Sequence, residues 1–192
     1  MISKLKKTAG FTLIELIIYI SILSVITVVV ANSFLILNRG RAGVEAKSEL
    51  NSNLRFVTEK IKRDIASSSS LITPDSATIS AGASTTALKL LMVDNLSLAS
   101  STVEYLVSNN RVKRQIKSQP SNTIISDEYI SSDKIKIQAG DLYFFGLENT
   151  NSILNIKRIS VEINLRGTYN SSSSDWQYTQ SDQTSADINK DN

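Results

Sequence analysis

The chain has 192 residues, with 21 lysines and arginines against 18 aspartates and glutamates, and it contains neither histidine nor cysteine. Without cysteine there is no disulfide and no thioether lipid anchor, and without both thiol and imidazole the usual zinc ligands and the Ser-His and Cys-His dyads are gone. Three of the 21 basic residues, Lys4, Lys6 and Lys7, fall in the first ten positions, so the rest carries 18 of each sign and net charge points to no polyanionic partner.

The first element is the apolar run from Phe11 to Leu37, 27 residues in which Glu15 is the single formal charge. As an α-helix at about 1.5 Å per residue it reaches roughly 40 Å, beyond the ~30 Å hydrocarbon core of a bilayer. The lysines ahead of it hold that end on the cytoplasmic side, which places the rest of the chain outside the cytoplasm. A secretory signal peptide is the rival reading, and Val29-Val-Ala31 offers small residues at a signal-peptidase spacing. The run is too long for that: signal h-regions span about 7–15 residues. A plain signal anchor leaves the order of residues around Gly10 unexplained.

That order is Lys-Lys-Thr-Ala-Gly10-Phe11-Thr-Leu-Ile-Glu15-Leu. Gly10 has no side chain, so the backbone there can take an extended path through a narrow space that a Cβ would obstruct. Glu15 costs on the order of 2.5–3.5 kcal/mol near a bilayer centre on insertion scales, and such a carboxylate needs a partner or the hydrated interface. The arrangement resembles the prepilin family, the type IV pilins and the pseudopilins of type II secretion. The resemblance implies cleavage by a prepilin peptidase after Gly10, N-methylation of the new amine on Phe11, and pairing of Glu15 with the free amine of a neighbouring subunit's first residue. It also implies residence in the inner (cytoplasmic) membrane and then in a pilus or pseudopilus, with other pilin or pseudopilin subunits as partners.

Beyond the apolar run, Asn38-Arg-Gly-Arg-Ala-Gly43 marks the exit from lipid, and its two glycines predict a bend or joint. Leu50, Leu54, Val57, Ile61 and Ile65 then recur at helical spacing as one apolar stripe, with Glu49, Lys60, Arg63 and Asp64 mainly off it. The serine run Ser67–Ser70 reads as a loop or a frayed helix end. After it the period becomes two. Strands are expected at Ala87–Val93, at Thr102–Val107 and Arg111–Ile116 joined by a turn at Asn109-Asn110, at Ile135–Gln138, at Leu142–Phe145 and at Ile156–Leu165. The fold class is therefore α+β, a long N-terminal helix packed on an antiparallel sheet. The division expected along the chain is a leader (1–10), a membrane or filament-core helix (11–38), its amphipathic continuation (39–66), a sheet domain (67–168) and a polar tail (169–192).

More narrowly, Leu54-Arg-Phe-Val-Thr-Glu-Lys-Ile-Lys-Arg-Asp-Ile65, then Val103-Glu-Tyr and the hairpin into Arg111-Val-Lys-Arg114, looks like the J-type minor pseudopilins and W-type minor pilins. The competing class is an exported adhesin or DNA-uptake module that borrows a membrane anchor. Arg111, Lys113, Arg114 and Lys117 bear on it. They read as a hairpin edge protected by charge rather than a nucleic-acid platform, since no aromatic residue is interleaved to stack a base. The tail from Gly167 is serine-rich, carries few apolar residues besides Tyr169, Trp176 and Tyr178, and is expected to be largely irregular. Its Asp187-Ile-Asn-Lys-Asp191 has the spacing that opens a calcium loop but lacks the remaining ligands, so it reads as solvated. No carboxylate or Ser-Lys grouping suggests catalysis, and no cofactor or metal is expected.

Overall fold

The computed structural model describes residues 10, 12–93, 99–151, 156–170 and 177–188. Helix α1 (Leu13–Ser67) is followed by β1 (Ser70–Thr73), α2 (Ser76–Ser80), β2 (Ser84–Thr85), β3 (Leu88–Val93), β4 (Ser100–Ser108), β5 (Arg111–Ser118), β6 (Ile124–Tyr129), β7 (Ile135–Lys136), β8 (Leu142–Asn151), β9 (Ile156–Tyr169) and β10 (Thr179–Ile188). This is the α+β class, a long N-terminal helix packed on antiparallel sheet. Two compact units divide the chain at Val44/Glu45. The hydrogen-bonded helix runs on through Gly40 and Gly43, where the sequence predicts a joint.

The described residues of unit 45–192 form two sheets, where the sequence predicts one. The first has the order β1-β3-β4-β5-β6; the second runs β10-β9-β8-β2, with β7 pairing β9 beyond the end of β8. All recorded pairings are antiparallel. The β4–β5 hairpin closes through Asn109 and Asn110 at φ 52° and 58°. Two successive left-handed residues make the two-residue turn whose twist matches paired strands, and asparagine tolerates that conformation better than most residues.

Leu50, Leu54, Val57, Ile61 and Ile65 are each 1% exposed or less, so the predicted stripe is the helix's contribution to the core. It meets Leu88, Leu90, Val103, Tyr105 and Val112 of the first sheet and Leu142, Phe144, Val161, Ile163 and Leu165 of the second. Close approach to β9 depends on Gly167, because a Cβ there would lie 2.8 Å from Leu54 Cδ2 and 3.1 Å from Ile135 Cγ2.

Three expectations change. Asp64 is buried, not off the packed face, because Tyr105 and Arg114 hydrogen-bond it from the first sheet. Strand β5 is interior, flanked by β6, which the sequence did not suggest. The tail is not largely irregular: β10 pairs with β9 over ten residues, from Thr179↔Thr168 to Ile188↔Ile159. Its side chains are polar because its outer face meets water, while on the inner face Asp182 accepts a hydrogen bond from Thr58 Oγ1 at 2.7 Å and Ile188 is buried.

Candidate functional site

Thr12 precedes the first helical residue, and its Oγ1 accepts the Glu15 N–H at 3.3 Å while its carbonyl accepts the Leu16 N–H at 3.2 Å. This is an N-cap, and Thr-Leu-Ile-Glu has the sequence of a capping box. Glu15 therefore lies in the first turn, where the helix dipole favours a carboxylate. The Tyr19 hydroxyl, one turn on, donates to Glu15 Oε1 at 3.3 Å. Among the described residues no cation lies within ion-pair distance of Glu15. Gly10 is exposed and outside the left-handed region, and among the described residues no atom lies within 4 Å of where a Cβ would stand. Packing against the described residues does not require glycine there. Phe11, the expected methylation site, and Lys4, Lys6 and Lys7 lie outside the described residues.

From Leu13 to Leu37 every large apolar side chain is more than half exposed, from 52% at Ile22 to 80% at Leu13. The hydroxyls among them are turned back on their own helix: Ser21 donates to Ile17 O, Ser24 to Ser21 O, Thr27 to Leu23 O and Ser33 to Val29 O, at 2.8–2.9 Å. Such internal bonding leaves an almost wholly apolar outer surface. The helix is long and apolar enough to cross a membrane.

In unit 45–192 the four basic residues at the hairpin are engaged. Arg111 donates to Ser131 O through Nε at 3.0 Å and Nη2 at 2.6 Å, Lys113 pairs with Asp127 at 2.9 Å, and Lys117 pairs with Glu104 at 2.7 Å. Arg114 reaches inward to Asp64 at 2.8 Å and outward to Glu128 at 3.2 Å. An aromatic ring is present after all: Tyr129 of β6 lies under Arg111, 4.7 Å from ring centroid to guanidinium carbon. The sequence reading missed it because the ring comes from the neighbouring strand. Glu104 shows how charge is managed on that same face of the sheet: burial alone would raise its pKa, but hydrogen bonds from Lys117 and Lys89 offset this and hold it below the ordinary carboxylate value. Burial pushes the Tyr105 phenol up, and the adjacent Asp64 carboxylate adds to the rise.

Among the described residues no group of three or more His, Cys, Asp or Glu side chains is placed to hold a metal. Asp187 accepts a hydrogen bond from Ser160 Oγ; Asn189 and Asp191 of the calcium-like spacing lie outside the described residues. An open cleft of about 600 Å³ beside α2 is lined by Ile79, Ser80, Phe145, Leu147, Glu148 and Glu162. Glu162 is already committed to Asn164 and Gln183.

Residues 5–31 match the family model of the prokaryotic N-terminal methylation motif, the prepilin-type signature. The match ends within the apolar helix. No curated protein and no solved structure matches the chain. The chain thus carries a prepilin-type signature that runs into a helix long and apolar enough to cross a membrane.

Proposed function

We propose that this protein is a structural subunit, of the minor kind, in a type IV pilus or a type II secretion pseudopilus, and that it acts by assembly rather than catalysis. A prepilin peptidase cuts after Gly10 and Phe11 receives the methyl group. Unit 45–192 lies outside the cytoplasm. The carrying observation is the methylation motif at the head of a helix whose large apolar side chains from Leu13 to Leu37 are all exposed. Gly10 is compatible with the cleavage reading: no described residue crowds it, and an extended passage through a peptidase cleft gives glycine a use there.

Glu15 would take the amine of Phe11 on an adjacent subunit, an ion pair that sets axial register in an apolar environment. The narrower J-type or W-type assignment is part of this reading and rests on sequence pattern. An exported adhesin or DNA-uptake module remains the second reading. The engaged state of Arg111, Lys113, Arg114 and Lys117 favours the first.

The test compares wild type, Gly10→Val and Glu15→Ala. Intact mass of the wild-type membrane protein is expected to correspond to a chain starting at N-methylated Phe11, and Gly10→Val to leave the leader attached. Glu15→Ala is expected to be cut and inserted normally yet to be depleted in sheared filaments by roughly a hundredfold or more, the scale of a lost buried pair. Equal recovery of Glu15→Ala in filaments would sink the role given to Glu15, and a mature start at Asn32 would establish the signal-peptide reading instead.

A further inference from the structure

The hydroxyls of the apolar helix are satisfied in two ways. Those of Ser21, Ser24, Thr27 and Ser33 sit on short side chains and reach carbonyls of their own helix. Tyr19 carries its hydroxyl too far out for that. Its side chain leans toward the helix N-terminus, as helical side chains do, and donates to Glu15 Oε1 one turn back at 3.3 Å. In hydrocarbon no water is at hand to serve a phenol or a carboxylate, so each supplies what the other needs.

Glu15 is thereby held at two points. Thr12 Oγ1 accepts its N–H at 3.3 Å and fixes the backbone of the first turn, while Tyr19 holds the carboxylate. The second oxygen is left over: among the described residues Glu15 Oε2 has no hydrogen-bond or ion-pair partner. An ion pair in an apolar medium repays its desolvation only when the geometry is good and the remaining lone pairs are satisfied. A donor already on Oε1 meets that condition before any cation arrives.

We propose that Tyr19 is the positioning residue of Glu15: its hydroxyl satisfies and orients Oε1 and leaves Oε2 as the place where a cation is received. The inference rests on the assembly role proposed for Glu15, in which that cation is the amine of an adjacent subunit's Phe11. An aromatic residue near a membrane boundary also serves as an interfacial anchor. Anchoring uses the ring, whereas positioning uses the donor, so the two roles rank substitutions at this position in opposite orders.

The test uses the full-length protein with Tyr19→Phe, which keeps the ring and removes the donor, and Tyr19→Gln, which keeps a donor within reach one turn away and removes the ring. Recovery in sheared filaments is taken relative to the processed chain in the membrane fraction, which corrects for unequal insertion. Tyr19→Phe is expected to fall roughly tenfold, the scale of a hydrogen bond to a charged group, and Tyr19→Gln to retain most of the wild-type ratio. A second measurement needs no filament. Glu15 is the single carboxyl between Phe11 and Leu37, so dicyclohexylcarbodiimide, a membrane-soluble carboxyl reagent, reports on it through the mass of the N-terminal fragment. Tyr19→Phe is expected to be labelled severalfold faster than wild type, because nothing then competes for Oε1. Wild-type recovery of Tyr19→Phe, a loss in Tyr19→Gln as large as in Tyr19→Phe, or unchanged labelling overturns the proposal. Glu15→Ala separates this outcome from the reading beneath it. If Glu15→Ala is depleted from filaments while Tyr19→Phe is not, the assembly role stands and the positioning falls. If Glu15→Ala enters filaments as wild type does, the assembly role falls, and labelling alone decides whether Tyr19 holds the carboxylate.

Discussion

Asp64 stands in the last turn of α1, where the helix dipole disfavours a carboxylate, and it is 7% exposed. Two groups from the first sheet compensate: the Tyr105 hydroxyl at 2.5 Å and the Arg114 guanidinium at 2.8 Å. Leu88, Tyr105, Arg114 and Glu128 stand directly opposite one another across β3, β4, β5 and β6, so Asp64 ties the helix to one cross-strand row. Removing one ion leaves the other buried and uncompensated. Arg114→Ala is therefore expected to cost about 3–5 kcal/mol in urea denaturation, while the apolar double variant Asp64→Leu with Arg114→Met recovers most of that loss. A double variant as unstable as Arg114→Ala would show that the pair contributes more than mutual neutralisation. Nothing local marks Asp64 out, since an acidic residue after Lys-Arg near a helix end looks solvated. Its partners lie 41 and 50 positions away.

At the scale of elements, what local pattern carries was legible. The stripe from Leu50 to Ile65, the strand around Ile159–Leu165 and the Asn-Asn turn each announce themselves within a few residues, because periodicity and φ preference are local properties. Strand β10 did not: Thr-Gln-Ser-Asp-Gln-Thr-Ser-Ala-Asp has the composition of a tail, and only its ten pairings with β9 make it a strand. β6 was missed for a similar reason, since Asp127 and Glu128 read as surface until β5 brings Lys113 and Arg114 within ion-pair distance of them. In the candidate site the signal lay in Gly10, Phe11 and Glu15, whereas the Thr12 cap and the Tyr19 hydroxyl needed the helix start to be fixed. Gly167 marks where β9 meets α1. Gly167→Val should cost about 1–3 kcal/mol, as overpacking does, and lower the thermal midpoint accordingly, because Leu54 and Ile135 must both give way. An unchanged midpoint would mean that the helix can retreat from β9 freely.

For the molecule as a whole, unit 45–192 has a core of its own, to which the helix contributes its stripe from Leu50 to Ile65. Deleting residues up to Asn38 is expected to leave a folded, monomeric α+β protein with one cooperative thermal transition. Leu54→Asp in that fragment buries an unpaired charge and should abolish the transition, since a loss of about 3–5 kcal/mol approaches the total stability of many domains. A fragment that is unfolded, or almost purely helical by circular dichroism, would overturn the independence of this unit. The pairing of β10 bears also on the order in which the sheet is completed. Synthesis delivers β8 and β9 before residues 179–188, and until those follow one long flank of β9 offers bare N–H and C=O groups to any extended segment nearby. The polar strand is thus the seal against strand exchange between neighbouring copies, and a protein shortened ahead of Thr179 trades solitary folding for entanglement.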